Sequence, residues 1–145
     1  MKKKLISAIL CLFIIGCAST ETYVETISTN SSMDLSHLLK DKTKGRIYVL
    51  RDSKFVGSAI GIQIHDNGRT VGKLGNGGIV TWERPPGLCN LGASASNEQN
   101  ASVEVEAGNV YFFEARVTWG AGFNSGQAEM RQLTDIEGYS RINEK

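Results

Sequence analysis

The pattern that decides the fold lies in residues 60–74, which read IGIQIHDNGRTVGKL. Isoleucine alternates with other residues from position 60 to 64, and this period of two is typical of a β-strand with one buried face. Asn67 and Gly68 follow, and both tolerate the positive φ that a two-residue hairpin turn requires. We therefore predict a β-hairpin whose second strand covers residues 69–74.

The register of this hairpin can also be predicted. A two-residue turn places Val71 opposite Ile64 on the core face. Leu74 then has the wrong parity to join them. We expect a β-bulge at Gly72, because a bulge reverses the faces of the residues that follow it.

The period of two continues on both sides of the hairpin. Turn residues rich in Gly, Pro and Asn separate the apolar runs. The predicted strands are residues 46–51, 79–84, 88–96, 102–106, 109–119 and 127–133. Seven or eight short strands predict an all-β fold, an antiparallel β-sandwich.

Short helices are predicted at both ends of this domain. Thr134 and Glu137 form a capping-box pattern that starts a C-terminal helix, with Ile136, Tyr139 and Ile142 near one face. At the other end, residues 34–42 carry three leucines at helical spacing. We expect that segment to pack on the edge of the domain.

The N-terminus has the order of a secretion signal. Three lysines at positions 2–4 precede an apolar run at 5–15, which is long enough for a signal helix and too short for a finished membrane span. Gly16 and Cys17 follow, and a small residue before a cysteine resembles the lipobox of bacterial lipoproteins. Lipidation of Cys17 is the interpretation we favour, over an ordinary signal peptide that contains a cysteine or a short anchor that is kept.

This interpretation divides the chain into three parts. Residues 1–16 are the signal peptide, 17–44 a lipidated tether with the possible short helix, and 45–145 the β-sandwich domain. Ala18 follows the cysteine. In enteric lipoproteins, an Asp at this position is typical of retention at the inner membrane, and this chain does not resemble them there. The resemblance favours the outer membrane, with the domain facing the periplasm.

Charge and cysteine content argue against nucleic-acid binding and against an internal disulfide. Without the three signal lysines the chain has 13 basic and 15 acidic residues, so no basic surface for nucleic acid is expected. Removal of Cys11 and lipidation of Cys17 leave Cys89 alone, which excludes an internal disulfide. We favour a buried, structural Cys89 over a reactive thiol, because no cationic residue is near it in sequence.

The sequence offers no pattern typical of catalysis, a metal site or a cofactor. His37 and His65 are isolated, and no zinc-ligand spacing surrounds them. Glu104 and Glu106 share a strand face, but they alternate with valines as on a solvated sheet. We therefore predict no enzyme activity, no cofactor and no metal.

Four aromatic residues are the candidate binding residues. Trp82 and Tyr111 could form a stacking platform for a sugar or peptide. Trp119 lies beside glycines, and Phe123 lies in the loop 120–126. Exposed loops on rigid scaffolds commonly carry recognition, so this loop is the expected mobile surface.

Several motifs together resemble a family of small bacterial lipoproteins that carry a domain of unknown function. The matching segments are RIYVLR at 46–51, FVGSA at 55–59, NGRTVGKL at 67–74, PPG at 85–87, EAGNVY at 106–111 and the tail at 133–138. The resemblance implies a transthyretin-like or Ig-like sandwich and implies no catalytic residues.

These observations predict a non-enzymatic binding or assembly module, anchored to the outer membrane through lipid on Cys17, with an envelope protein as partner. Exposed sheet edges or loops are its expected contacts. An envelope lipoprotein that binds glycan or a small ligand through Trp82 and Tyr111 is one alternative. An accessory lipoprotein of a secretion apparatus is another, by analogy of fold.

Overall fold

The structure, a computed structural model, describes residues 33–119 and 126–144. The predicted signal peptide, Cys17 and Phe123 lie outside these residues. Within them the chain forms eight strands, one 3₁₀-helix and one α-helix. The strands are β1 (Gly45–Leu50), β2 (Ile62–Asp66), β3 (Arg69–Leu74), β4 (Ile79–Arg84), β5 (Gly87–Ser94), β6 (Glu98–Val105), β7 (Val110–Trp119) and β8 (Gly126–Gln132), and the helices are Ser36–Leu38 and α1 (Asp135–Asn143).

The strands form two four-stranded sheets that pack face to face. The β1 sheet has the order β4-β1-β7-β8, and the β2 sheet has the order β3-β2-β5-β6. The all-β sandwich prediction is confirmed at this level. The antiparallel prediction is wrong for one pair, because β1 and β7 run parallel, with Arg46 opposite Val110. This follows from the turn at residues 107–108, where the chain leaves β6 in one sheet and enters β7 in the other.

The predicted hairpin is present, with a different bulge. Asn67 has φ of 50° and Gly68 of 79°, as the two-residue turn requires. The register shifts between Ile64 and His65, so Ile64 lies opposite Gly72 and not opposite Val71, which is the extra residue. The shift places Leu74 on the core face, where it is buried. The bulge is therefore at Val71, one residue earlier than predicted, and it still brings Leu74 to the core face.

The main core lies between the two sheets. Alternate residues of the inner strands fill it, as the period of two predicts. Its fully buried members include Ile47, Val49, Ile62, Ile64, Leu74, Cys89, Leu91, Ala93, Phe113 and Ala115. Burial of these side chains from both sheets holds the sandwich together.

A second apolar cluster covers the outer face of the β1 sheet. Its sheet residues are Tyr48, Leu50, Val110 and Phe112. Residues 35–39 and α1 pack over them, so the N-terminal leucines lie against this face of the sheet. The helix predicted for residues 34–42 is only the 3₁₀ turn Ser36–Leu38, because the backbone becomes extended at Leu39. The predicted capping box is also present, because Glu137 N donates to Thr134 Oγ1 at 3.3 Å and Thr134 N donates to Glu137 Oε2 at 3.1 Å.

The close packing of α1 on the β1 sheet depends on a glycine. Tyr139 and Ile142 pack against the cluster, whereas Ile136, which was predicted on the same face, is exposed. Gly138 is buried against Phe112, and a Cβ on it would overlap that ring. The absence of a side chain at position 138 thus lets α1 approach the sheet closely. Helix propensity alone would indicate only that this glycine weakens α1.

Candidate functional site

Trp82 and Tyr111 lie on β4 and β7, on opposite sides of β1. Ile47 is opposite Trp82 in one pair and opposite Tyr111 in the other, so the two rings are two strands apart, about 10 Å. Both are partly buried against the main core. Trp82 Nε1 donates to Asp66 Oδ2 at 2.9 Å, and Tyr111 Oη accepts from Glu106 N at 2.9 Å. The structure does not bring the two rings together.

Trp119 is the last residue of β7 and is 42% exposed. It lies opposite Gly126, at the end of the β7–β8 pair. Of the four aromatic candidates, it is the described residue with the most exposed side chain. Phe123 belongs to the segment outside the described residues.

Cys89 is fully buried between the sheets, as predicted for a structural cysteine. Its Sγ donates to Asp66 Oδ1 at 3.3 Å. Burial first, and the neighbouring Asp66 carboxylate second, raise the pKa of the thiol to about 11. A thiol in this environment is protonated and inert at neutral pH.

His65 makes a contact that the sequence did not reveal. Its Nε2 lies 2.8 Å from Ser94 Oγ, and its Nδ1 lies 3.1 Å from Thr70 Oγ1. The three residues belong to neighbouring strands of the β2 sheet and lie on its polar outer face. Among residues 33–119 and 126–144, no three His, Cys, Asp or Glu side chains are placed to hold a metal ion.

A groove of about 570 Å³ lies where β7, β8, α1 and the loop after β1 meet. Its charged lining residues are Arg51, Asp52, Lys54, Glu114, Arg116, Arg131 and Arg141, and its apolar ones are Phe55, Val56 and Val117. We call this surface the groove.

A buried carboxylate organises the base of the groove. Glu114 on β7 follows Phe112 on the same strand face, but its side chain is only 8% exposed. Arg131 Nε donates to Glu114 Oε2 at 2.6 Å, and Arg141 Nη1 donates to Oε1 at 2.8 Å. Burial raises the pKa of Glu114, but the hydrogen bonds from the two arginines outweigh it, and the net pKa is lowered. Glu114 is therefore a carboxylate that holds two guanidinium groups in place.

The loop of residues 51–61 forms the apolar rim of the groove. Arg51 is buried, and its guanidinium donates to the carbonyls of Ile60 and Gly57, the latter at 2.7 Å. Gly57 has φ of 77° and lies against Val117 of β7. These bonds fix the loop while its tip projects outward, with Phe55 95% and Val56 58% exposed.

The sequence could have revealed part of this site. Glu114 occupies the apolar parity of Val110 and Phe112, and a carboxylate in that position needs a cationic partner. Phe55 and Val56 are apolar residues in a segment with turn composition. Which arginines meet Glu114 could not be predicted, because they come from β8 and α1 and depend on the strand order.

Comparisons with known proteins add no family to this picture. No protein-family model matches the chain, and no curated protein is significantly similar to it. The resemblance to small bacterial lipoproteins therefore stays a prediction. Among the residues that the structure describes, no helix is long and apolar enough to cross a membrane.

Proposed function

We propose that the chain is a non-enzymatic binding or assembly module, anchored to the bacterial outer membrane through lipid on Cys17 and facing the periplasm. The observation that carries the proposal is the groove with its fixed apolar rim at Phe55 and Val56. Phe55 is 95% exposed beside the charged groove, and aromatic residues are enriched in protein–protein interfaces. An envelope protein is the proposed partner.

The anchor rests on the sequence. The basic, apolar and small-Cys elements follow one another in the order of a lipoprotein signal. More than one acyl chain on Cys17 would be sufficient for stable attachment. The two four-stranded sheets also support the finer proposal of a transthyretin-like or Ig-like sandwich, as in the resembled lipoprotein family.

The chemistry of the groove supports a binding role. The described residues that line it are ionic or apolar, and Ser, Cys and His are not among them. Its base, Glu114, is already paired with two arginines. The Ser94–His65 contact lies on an open sheet face, and catalysis by such a pair also needs a site for the reacting atom.

Crosslinking in intact cells tests the proposal. The full chain is crosslinked, purified through a C-terminal tag and compared with Cys17→Ala. A discrete envelope protein that is captured by the native chain and lost with the variant is the expected result. Capture of no protein would contradict an assembly role, and recovery of peptidoglycan fragments in its place would favour the glycan-binding alternative.

A further inference from the structure

We propose that the groove binds an acidic segment of a protein partner, with an apolar residue of that segment resting on Phe55 and Val56. This deepens the proposed binding role and rests on it. The occupant is argued from the charge, the spare hydrogen-bond donors and the rigid rim of the groove.

The groove presents a cationic surface although it contains carboxylates. Glu114 lies at its base and is 8% exposed, whereas Arg131 is 46% and Arg116 is 60% exposed. Glu129 faces Arg116 and Glu137 faces Arg131, and each lies beside its arginine. Without the buried Arg51 and Glu114, the groove and its border have four basic groups (Lys54, Arg116, Arg131 and Arg141) and three acidic ones (Asp52, Glu129 and Glu137). The exposed excess is cationic, which complements a carboxylate ligand.

The arginines retain hydrogen-bond donors for a second acceptor. Each guanidinium has five N–H groups in a planar fork. Within the described residues, Arg131 uses Nε for Glu114, and Arg141 uses Nη1 for Glu114 and Asp52. Their remaining donors can bind an incoming carboxylate while Glu114 keeps the forks oriented. The side chain of Lys54 is exposed, and no carboxylate within the described residues pairs with it.

Hydrogen bonds hold the backbone of the rim in place. Arg51 holds the loop through backbone carbonyls, and Lys54 N donates to Asn76 Oδ1 at 3.0 Å. Phe55 and Val56 are therefore presented on a fixed backbone. Preorganisation lowers the entropy cost of binding, and the groove volume is in the range of ligand sites.

The rim lies away from the start of the described chain. Met33, where the described chain begins, lies with Val110 in a separate groove at the start of β7. Val117, beside the rim, is seven residues further along β7, or about 23 Å at the rise of a β-strand. The start of the described chain and the rim therefore lie at different ends of β7.

A random heptapeptide library displayed on phage tests the inference, with the full chain as the target. Selected peptides should be rich in Asp and Glu next to an apolar residue. A synthetic selected peptide should bind about tenfold more tightly than its counterpart with Gln for Glu, and more weakly in high salt. The variant Lys54→Glu with Phe55→Ala should lose about tenfold in affinity.

Matched controls lie on the other sheet. Arg69→Glu and Leu88→Ala change an exposed cation and an exposed apolar residue, and both should bind as the native chain does. Selection of peptides without acidic residues, or equal losses in variant and controls, would overturn the inference. So would binding to phosphatidylglycerol vesicles through Lys54 and Phe55 without any selected peptide.

The two proposals can fail separately. If the chain selects acidic peptides but captures no partner in cells, the groove is still a peptide-binding site, and the assembly role is refuted. A captured partner whose binding is unchanged by the Lys54 and Phe55 substitutions would retain the assembly role and remove the groove as its site.

Discussion

Replacing Gly138 with Ala tests whether α1 is seated on the β1 sheet as described. In an exposed helix this substitution stabilises by about 1 kcal/mol, because Ala has the higher helix propensity. Here the new Cβ would lie only 2.5 Å from Cδ2 of Phe112, and closer still to two other atoms of that side chain. Real Cβ atoms do not approach side chains so closely, so α1 or Phe112 must move.

The magnitude follows from two opposing terms. Overpacking a buried contact costs about 1–3 kcal/mol, and an overlap with three atoms of the buried Phe112 side chain belongs at the upper end. Subtracting the gain of about 1 kcal/mol in propensity leaves a net loss of about 2 kcal/mol. Urea denaturation followed by tryptophan fluorescence should show this loss at an unchanged m-value.

A second substitution identifies the cause. Phe112→Ala removes Cγ and Cδ2, two of the three atoms that a Cβ at position 138 would overlap, so Gly138→Ala should cost clearly less in that background. The difference between the two backgrounds measures the coupling between the two residues. If Gly138→Ala stabilised the native chain by about 1 kcal/mol, the position would behave as an exposed helix site and the packing of α1 would be refuted.

Three further predictions concern the buried polar groups. The Cys89 thiol, whose pKa is raised to about 11, should resist iodoacetamide at neutral pH in the folded chain and react after unfolding, as peptide mapping measures; equal rates in both states would refute its burial. Glu114→Gln should lower the free energy of unfolding by about 2 kcal/mol at pH 7, whereas Glu104→Gln should have no effect. Because the pKa of Glu114 is lowered, its stabilising effect is present above its ordinary value of 4.5 and is lost as the pH falls. The gap between Glu114→Gln and the native chain should therefore close in acid, and a constant gap would contradict the ion pairs. Trp82→Phe should cost about 1–2 kcal/mol by urea denaturation, through loss of the bond to Asp66, and should cost less in an Asp66→Ala background; equal costs would show that the bond is not the cause.

The local parts of the fold could be predicted because local chemistry determines them. Asn67-Gly68 set the hairpin turn, and the alternation of apolar residues set the inner faces of the strands. Thr134 and Glu137 set the start of α1. Each of these signals acts between residues fewer than about ten positions apart. Over such short separations, the position in the sequence largely determines which side chains lie close together.

The remaining features depend on contacts between distant residues. The parallel pairing of β1 with β7 depends on where the chain crosses between the sheets, and no local pattern encodes it. The position of the bulge depends on which of Val71 and Gly72 meets the neighbouring sheet, and Gly72 lies against Val80 of β4. The groove combines β7, β8, α1 and a loop, so it could not be assembled from sequence spacing.

The measurement that tests the central claim most directly is photo-crosslinking in intact cells from position 55. A photoreactive phenylalanine derivative replaces Phe55 in one variant and Leu88, on the outer face of the β2 sheet, in a matched control. A single envelope protein joined to position 55 through an acidic segment, and absent from position 88, is the predicted result. The same adducts from both positions, or no protein adduct from position 55, would contradict the account.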